Sequence, residues 1–404
     1  MSYVSEQGKN RPSINAEEHR RPRARTHVPR LSDMTTFRVG GPVATLVEPS
    51  TEDAFVDALR RADDEHSPDR LLILGGGSNI LADDAPFDGT VIRDARASLE
   101  TDVTWTPSEP SAPQSSPVIV TAASGVAWDA LVNERGKRGL SGPEALSGIP
   151  GTVGAAPVQN IGAYGGEVAH TLLHIGAWDR LEQRRVELTH DDLELGYRSS
   201  ILKQSRLTPR MDGSQWGPTG RWVVLDVTLQ LTRSHMSAPV AYSQLARALD
   251  VPIGQQVETN RVRSEVLRLR ASKGMVIDEG DHDTWSAGSF FTNPILDADE
   301  AERLLPPEAP RFDAGRGLVK TSAAWLIDRA GFGKGFALSD ECEPCGGHSS
   351  ARASLSTKHV LALTNRGGAC AQDIRDLARA VRAGVKGSFG VTLVPEPVVL
   401  GEQI

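Results

Sequence analysis

The sequence predicts an α+β fold built from two or three domains, on three observations. Short apolar runs and amphipathic stretches alternate without the even spacing of a βαβ series, which argues against a doubly wound sheet. One apolar run, Leu71–Leu74, ends abruptly in a glycine cluster. The chain has 404 residues with 39% hydrophobic content, enough for more than one sizeable core.

Taken in order, residues 1–26 are polar and Arg-rich and carry too few aliphatic groups to offset ordering entropy, so they read as a disordered tail. Val43–Val47 reads as a strand. Thr51–Asp64 reads as a helix with Ser50 as its N-cap and acidic residues in the first turn. Leu71–Leu74 has the continuous apolar character of a buried strand, and Val91–Ile92 marks another. Thr106–Pro117 is Pro- and Ser-rich and reads as a loop, followed by a strand at Val118–Ala122. Ala127–Arg138 is helical, with Trp128, Leu131 and Val132 on one face. Ser205–Gly220 is a loop and Trp222–Leu231 a strand. Val257–Lys273 is helical, with its many arginines assigned to the solvent side. Gln372–Lys386 sets Ile374, Leu377, Val381 and Val385 on one stripe, and Phe389–Val394 reads as a last strand.

Composition narrows the function. A formal charge of -8 lacks the basic footprint of a general nucleic-acid binder. No apolar run is long enough for a transmembrane helix, and the N-terminus lacks a secretory h-region, so a cytoplasmic location without membrane association is expected. Three cysteines, Cys342, Cys345 and Cys370, do not make a disulfide framework. Cys342, Cys345 and His348 form a C-x-x-C-x-x-H pattern within Asp340–Ser354, but structural zinc needs four ligands, so no metal is assigned.

Five segments have chemical character. Gly75, Gly76, Gly77, Ser78, Asn79 and Ile80 follow a buried strand, where glycines permit a tight turn whose N–H groups form a nest for anionic oxygen. The same residues also make a tight turn without a ligand, and the spacing is not that of a dinucleotide-binding G-x-G-x-x-G. Ser147–Glu167 is glycine-rich yet interspersed with Ile149, Val153, Val158 and Ile161, which suits a packed backbone against a flat ligand. Gly196–Lys203 holds Tyr197 and Arg198, an arginine being suited to a carboxylate or phosphate. Ser286–Pro294 holds Ser289, which is not in a nucleophile elbow. Leu393–Gly401 holds Glu396 among prolines and apolar residues, where burial would keep a carboxyl protonated.

In this order and spacing the segments resemble the UDP-N-acetylenolpyruvoylglucosamine reductases from about Leu31 to Gly401, and Lys320–Gly335 fits as well. The resemblance implies a vanillyl-alcohol-oxidase-type fold, with two α+β domains holding noncovalent FAD and a third α+β domain binding substrate. The corresponding division is 27–94, 95–273 with 389–404, and 274–388. It implies NADPH as electron donor, a UDP-sugar substrate, hydride transfer from reduced FAD to the enolpyruvyl group, and a monomeric enzyme. Residue by residue, Gly75, Gly76, Gly77, Ser78 and Asn79 would hold the diphosphate of FAD, Ile80 would also contact the cofactor, and Gly148, Ile149, Gly154, Asn160 and Gly162 would line the flavin. Arg198 and Glu396 would stabilise charge, and Ser289 would give a proton to the α-carbon. Tyr242 matches a tyrosine that closes on the substrate diphosphate, and Tyr197, Lys273 and Asn293 match substrate contacts. The sequence departs from some relatives at Val398, where they carry arginine. A different flavoenzyme on the same fold would share the glycine loops without needing Arg198, Ser289 and Glu396 together. A noncatalytic binding protein would need neither the loops nor the three side chains.

Overall fold

The computed structural model describes residues 28–106, 115–338 and 351–404. The 1–26 tail, the centre of the Pro/Ser-rich loop and Cys342, Cys345 and His348 lie outside the described residues.

The first unit is a parallel three-stranded sheet. It comprises β1 (Val43–Val47), β2 (Leu71–Ile73) and β4 (Phe87–Ile92), in the order β1-β4-β2. A short strand, β3 (Ile80–Leu81), follows the glycine turn. Helix α1 (Glu52–Glu65) crosses from β1 to β2. It buries Phe55, Ala58, Leu59 and Ala62, an i, i+3, i+4, i+7 stripe. Its cap is Thr51, whose hydroxyl accepts from Ala54 N, rather than the expected Ser50.

The second unit is a six-stranded antiparallel sheet. Its strands are β5 (Val103–Thr106), β6 (Pro117–Ala123), β7 (Leu140–Ser141), β10 (Leu172–Asp179), β11 (Arg184–Thr189) and β12 (Trp222–Arg233), with the minor hairpin β8 (Gly162–Ala163) and β9 (Gly166–Glu167) beside it. The order is β11-β10-β12-β6-β5, and β7 adds to β12. The central strand β12 sets Val227 opposite Ala122 on one side and Ile175 on the other. Helix α2 (Trp128–Lys137) covers this core with Trp128, Leu131 and Val132. Short helix α3 (Ile201–Ser205) follows the Tyr197–Arg198 turn. Helices α4 (Ser243–Ala248) and α5 (Thr259–Ala271) form a satellite core through Leu245, Val262 and Val266.

The third unit contains β13 (Ile295–Asp297), β14 (Phe312–Asp313) and β15 (Leu318–Lys320), paired β13-β15-β14, and a two-stranded ladder of β16 (Ala353–Leu355) and β17 (Leu363–Asn365). Helices α6 (Ala298–Leu304), α7 (Ala323–Arg329) and α8 (Ala371–Phe389) pack on them. The end of the expected 340–354 insertion is therefore part of a strand.

The C-terminal reading needs two corrections. Phe389–Val394 is not a strand: α8 continues through Phe389 and stops at Gly390 in the left-handed region (φ 71). The chain then runs extended, with a single bridge from Pro395 to Phe291. The last strand, β18 (Val398–Val399), pairs in parallel with β3, so 389–404 joins the first unit's glycine-turn edge and not the six-stranded sheet. This pairing carries Glu396 to the end of the glycine turn.

Candidate active site

All three units open onto one cavity of about 1130 Å³. Pockets for one small ligand span roughly 300–1,000 Å³, so this one has room for two partners in contact.

One wall is backbone. Gly75–Ile80 lines it, immediately after β2. A Cβ on Gly76 would stand 2.7 Å from Gly151 Cα. Gly77 has φ +60, and a Cβ there would overlap the Met34 carbonyl oxygen. Thr36 N donates to Gly77 O (3.0 Å), and Ser78 Oγ donates to Pro150 O (3.0 Å), which fixes the turn against the facing loop. The N–H groups of Gly75 to Ser78 donate to no group among the described residues. Four free N–H donors, at a turn where Gly76 and Gly77 leave no room for a Cβ, suit an anionic group.

The facing loop contributes Ile149, Gly154 and Gly162 to the wall. Two expected contacts fall outside the cavity lining. Gly148 turns away because its N–H donates to Asp129 Oδ1 (2.6 Å), and Arg263 clamps the same carboxylate. Asn160 is in the left-handed region (φ 46), which swings its side chain to Glu167 (2.8 Å), Gly196 O (3.1 Å) and Ala169 N (3.1 Å). Its neighbour Gln159 faces the cavity instead.

Arg198, Ser289 and Glu396 all line the cavity. Glu396 N donates to Phe290 O (2.8 Å), the residue after Ser289. Arg198 Nε lies 3.4 Å from Glu396 Oε1, and its Nη2 donates to Gly162 O (2.7 Å). Arg198 itself has φ 53, a costly conformation for a non-glycine residue, stored at the site. Its Nε is buried without a hydrogen-bond partner, so the approach to Glu396 is a charge contact and not an aligned bond. Burial pushes the Glu396 carboxyl above its ordinary range, while Arg198, Lys203 and Gln159 pull it down; burial wins. Burial also raises the Tyr197 hydroxyl and lowers Lys203. Asn293 N donates to the Tyr197 hydroxyl (3.3 Å), and Asn293 Oδ1 accepts from Ala323 N (3.0 Å) at the start of α7. Lys320 Nζ stands 4.8 Å from the centre of the Tyr197 ring.

The outer wall holds Tyr242 and Lys273. Tyr242 is 44% exposed and meets Tyr164 edge-on, with ring centres 5.9 Å apart. Lys273 Nζ donates to Gln244 Oε1 (2.9 Å), and burial and Arg270 lower its pKa. His359, also on the wall, is pushed down to about 4 by burial and by Lys273 and Lys334.

Several wall residues escaped the sequence reading: Gln159, Lys203, Arg206, Arg270, Lys320 and His359. Arg270 reverses an expectation. It was placed on the solvent side of α5, yet it is 8% exposed, its Nε has no partner, and burial lowers its pKa to about 10. The signal was available: Arg270 follows Val262 and Val266 at helical spacing, so it lies on the buried stripe.

Comparison with known proteins adds independent findings. Residues 280–400 match the family model described as UDP-N-acetylenolpyruvoylglucosamine reductase, C-terminal domain, and residues 43–179 match an FAD binding domain. The UDP-N-acetylenolpyruvoylglucosamine reductase of Cutibacterium acnes is 46% identical over 92% of this chain and 89% of its own length. That of Thermobifida fusca is 45% identical over 92% of this chain and 96% of its own. Among solved structures, a UDP-N-acetylenolpyruvylglucosamine reductase from Thermus caldophilus shares the fold with a TM-score of 0.55, at 23% identity, covering 92% of this chain and 98% of that one.

Proposed function

Since the chain belongs to the UDP-N-acetylenolpyruvoylglucosamine reductases, we propose that its cavity reduces the enolpyruvyl group of UDP-N-acetylglucosamine enolpyruvate to the lactyl ether of UDP-N-acetylmuramate, a step of peptidoglycan precursor synthesis. The chain is an FAD-dependent oxidoreductase. When bound noncovalently, FAD supplies the hydride, having been reduced by NADPH. The cradle of Gly75–Asn79 holds the cofactor's diphosphate through bare N–H groups, and Ile80, Ile149, Gly154 and Gly162 border its ring system. The first two units hold the cofactor, and the third closes over the substrate.

The chain's own chemistry begins once hydride reaches the β-carbon. Negative charge then gathers on the enolate and carboxylate oxygens. Arg198 faces that charge as a fixed cation, and Glu396 meets it as a neutral hydrogen-bond donor; an ionised Glu396 would repel it. The Ser289 hydroxyl gives its proton to the α-carbon and is reprotonated from solvent. Lys273 and Tyr242 bind the UDP diphosphate at the mouth, and Asn293 and Tyr197 position the sugar end. The enzyme works in the cytoplasm as a monomer. No helix among the described residues is long and apolar enough to cross a membrane.

The observation that carries the reading is that Arg198, Ser289 and Glu396, from three distant stretches of sequence, line the same cavity as the glycine turn, with Arg198 Nε 3.4 Å from Glu396 Oε1. Anaerobic stopped-flow absorbance tests it. NADPH should bleach the flavin band, and the UDP-linked enolpyruvyl sugar should then restore it. Bleaching without recovery would reject this substrate.

A further inference from the structure

We infer that Gln159 is a positioning residue that decides which oxygen of Glu396 carries the carboxylic proton, holding Oε1 as an acceptor and leaving Oε2 as the donor. The inference rests on the reading above, in which Glu396 acts as a neutral acid.

A short chain of amides carries the argument. Asn79 Nδ2 points at two acceptors, the backbone carbonyl of Glu396 (3.5 Å) and Gln159 Oε1 (2.9 Å). A backbone carbonyl has only lone pairs to offer, so the Asn79 group beside it must be the NH2 end. That fixes the Asn79 amide, and Gln159 must then present its oxygen to Asn79. Its Nε2 is left to face Glu396 Oε1, at 3.2 Å. An N–H pointing at that oxygen favours it as the bare carbonyl oxygen of the acid, which accepts better than the hydroxyl oxygen does. The Arg198 guanidinium, also a pure donor, lies 3.4 Å from the same oxygen. The Gln159 hydrogen bond and the charge of the guanidinium both favour a bare Oε1, so the acid form carries its proton on Oε2.

The same chain joins cofactor cradle to acid. Asn79 ends the glycine turn, Gln159 ends the 3₁₀ turn Pro157–Gln159, and Glu396 sits just before β18, which pairs with the strand after Asn79. The charged and titratable groups facing Glu396 are Arg198 and Tyr197 from one turn and Lys203 from α3. Among the described residues, Gln159 is the neutral group that bonds the carboxyl.

The sign of its effect on pH follows. The Gln159 N–H favours the ionised carboxylate, so removing it favours the acid. A Gln159→Met variant should thus lose orientation and rate while keeping its Glu396 protonated to higher pH. Measured on flavin reoxidation by the enolpyruvyl substrate, the rate should fall about tenfold, the order expected for one lost hydrogen bond, and the alkaline limb should move upward. Flavin reduction by NADPH should stay close to wild type. Gln159→Glu keeps the shape and removes the donor, so it should move the limb further in the same direction; it also supplies the reading if the methionine variant fails to retain flavin. Glu396→Gln should show no such limb, because its amide does not titrate. In that background Gln159→Met should lower reoxidation again, since Gln159 also orients the new amide. A rate loss with an unmoved limb, equal loss in both half-reactions, or wild-type behaviour of both Gln159 variants overturns the inference. If Glu396→Gln retains the wild-type alkaline limb, the neutral-acid reading itself falls, whatever Gln159 does.

Discussion

The two walls of the cavity bind by opposite means. The cradle of Gly75–Ser78 offers backbone N–H groups and no charged side chain, and its shape depends on the absence of Cβ atoms at Gly76 and Gly77. The facing side offers cations: Arg198, Lys203, Arg270, Lys273 and Lys320. Backbone donors are fixed by the fold and hold an anionic ligand without a flexible charged side chain. Side-chain cations can turn over a ligand that arrives and leaves. The contrast matches a resident cofactor on one side and an exchanging nucleotide substrate on the other. It also separates the effects of mutation: adding one atom should ruin the first wall, whereas removing a functional group should tune the second.

The largest effect is expected at Gly77. Gly77→Ala forces a side chain into the left-handed region and onto the Met34 carbonyl. The purified variant should contain little or no FAD, read as the ratio of flavin to protein absorbance. A yellow, fully loaded Gly77→Ala protein would show that the cradle tolerates a Cβ and would dissolve the contrast between the walls.

Ser289→Ala comes next and acts on the other wall. Losing a proton donor typically costs ~10²–10⁴-fold. The loss should fall on flavin reoxidation by the substrate, while reduction by NADPH and FAD content remain near normal. Equal loss in both half-reactions would remove Ser289 from the proton-transfer role and make it part of the cofactor wall.

The backbone wall was the more legible of the two in the sequence. A triple glycine after a buried strand states its own conformational requirement, and the α8 stripe of Ile374, Leu377, Val381 and Val385 is fully buried as its periodicity required. The cationic wall was legible only in part. Arg198, Ser289 and Glu396 came from the resemblance, because nothing local says that residues so far apart in sequence share a cavity. Gln159 was passed over for Asn160, since one left-handed residue at the end of a 3₁₀ turn decides which of the two neighbours faces inward. Arg270 was set outside because arginine is usually solvated, although its helical phase said otherwise. Phe389–Val394 was taken for a strand because its apolar residues outweighed Gly390, whose left-handed conformation ends α8 and frees the chain to run extended. The first two of these errors concern which way a side chain points, a property set by tertiary contacts rather than by residue type; the third concerns where a helix ends.

A milder effect is expected at the mouth. Tyr242→Phe removes one hydroxyl from an exposed ring that keeps its edge contact with Tyr164. Substrate KM should rise by about 3- to 10-fold, the order of a single hydrogen bond, with flavin reduction unchanged. An unaltered KM would take Tyr242 out of the substrate site.

The smallest effect, and the most specific to a wall of cations, is the pH dependence of substrate affinity. Burial and the neighbouring Arg270 disfavour the charged form of Lys273, so its pKa lies below that of an ordinary lysine. The ammonium is present below that pKa and lost above it. KM for the diphosphate-bearing substrate should therefore climb on the alkaline side earlier than a solvated lysine would allow. Tyr164, beside it, is shifted upward by burial, which favours its neutral form over an anion at the mouth. Lys273→Arg should flatten the climb, because a guanidinium keeps its charge throughout. If the KM profile is the same in both proteins, the cation that meets the diphosphate is not Lys273, and the charge of this wall must be assigned to the arginines deeper in the cavity.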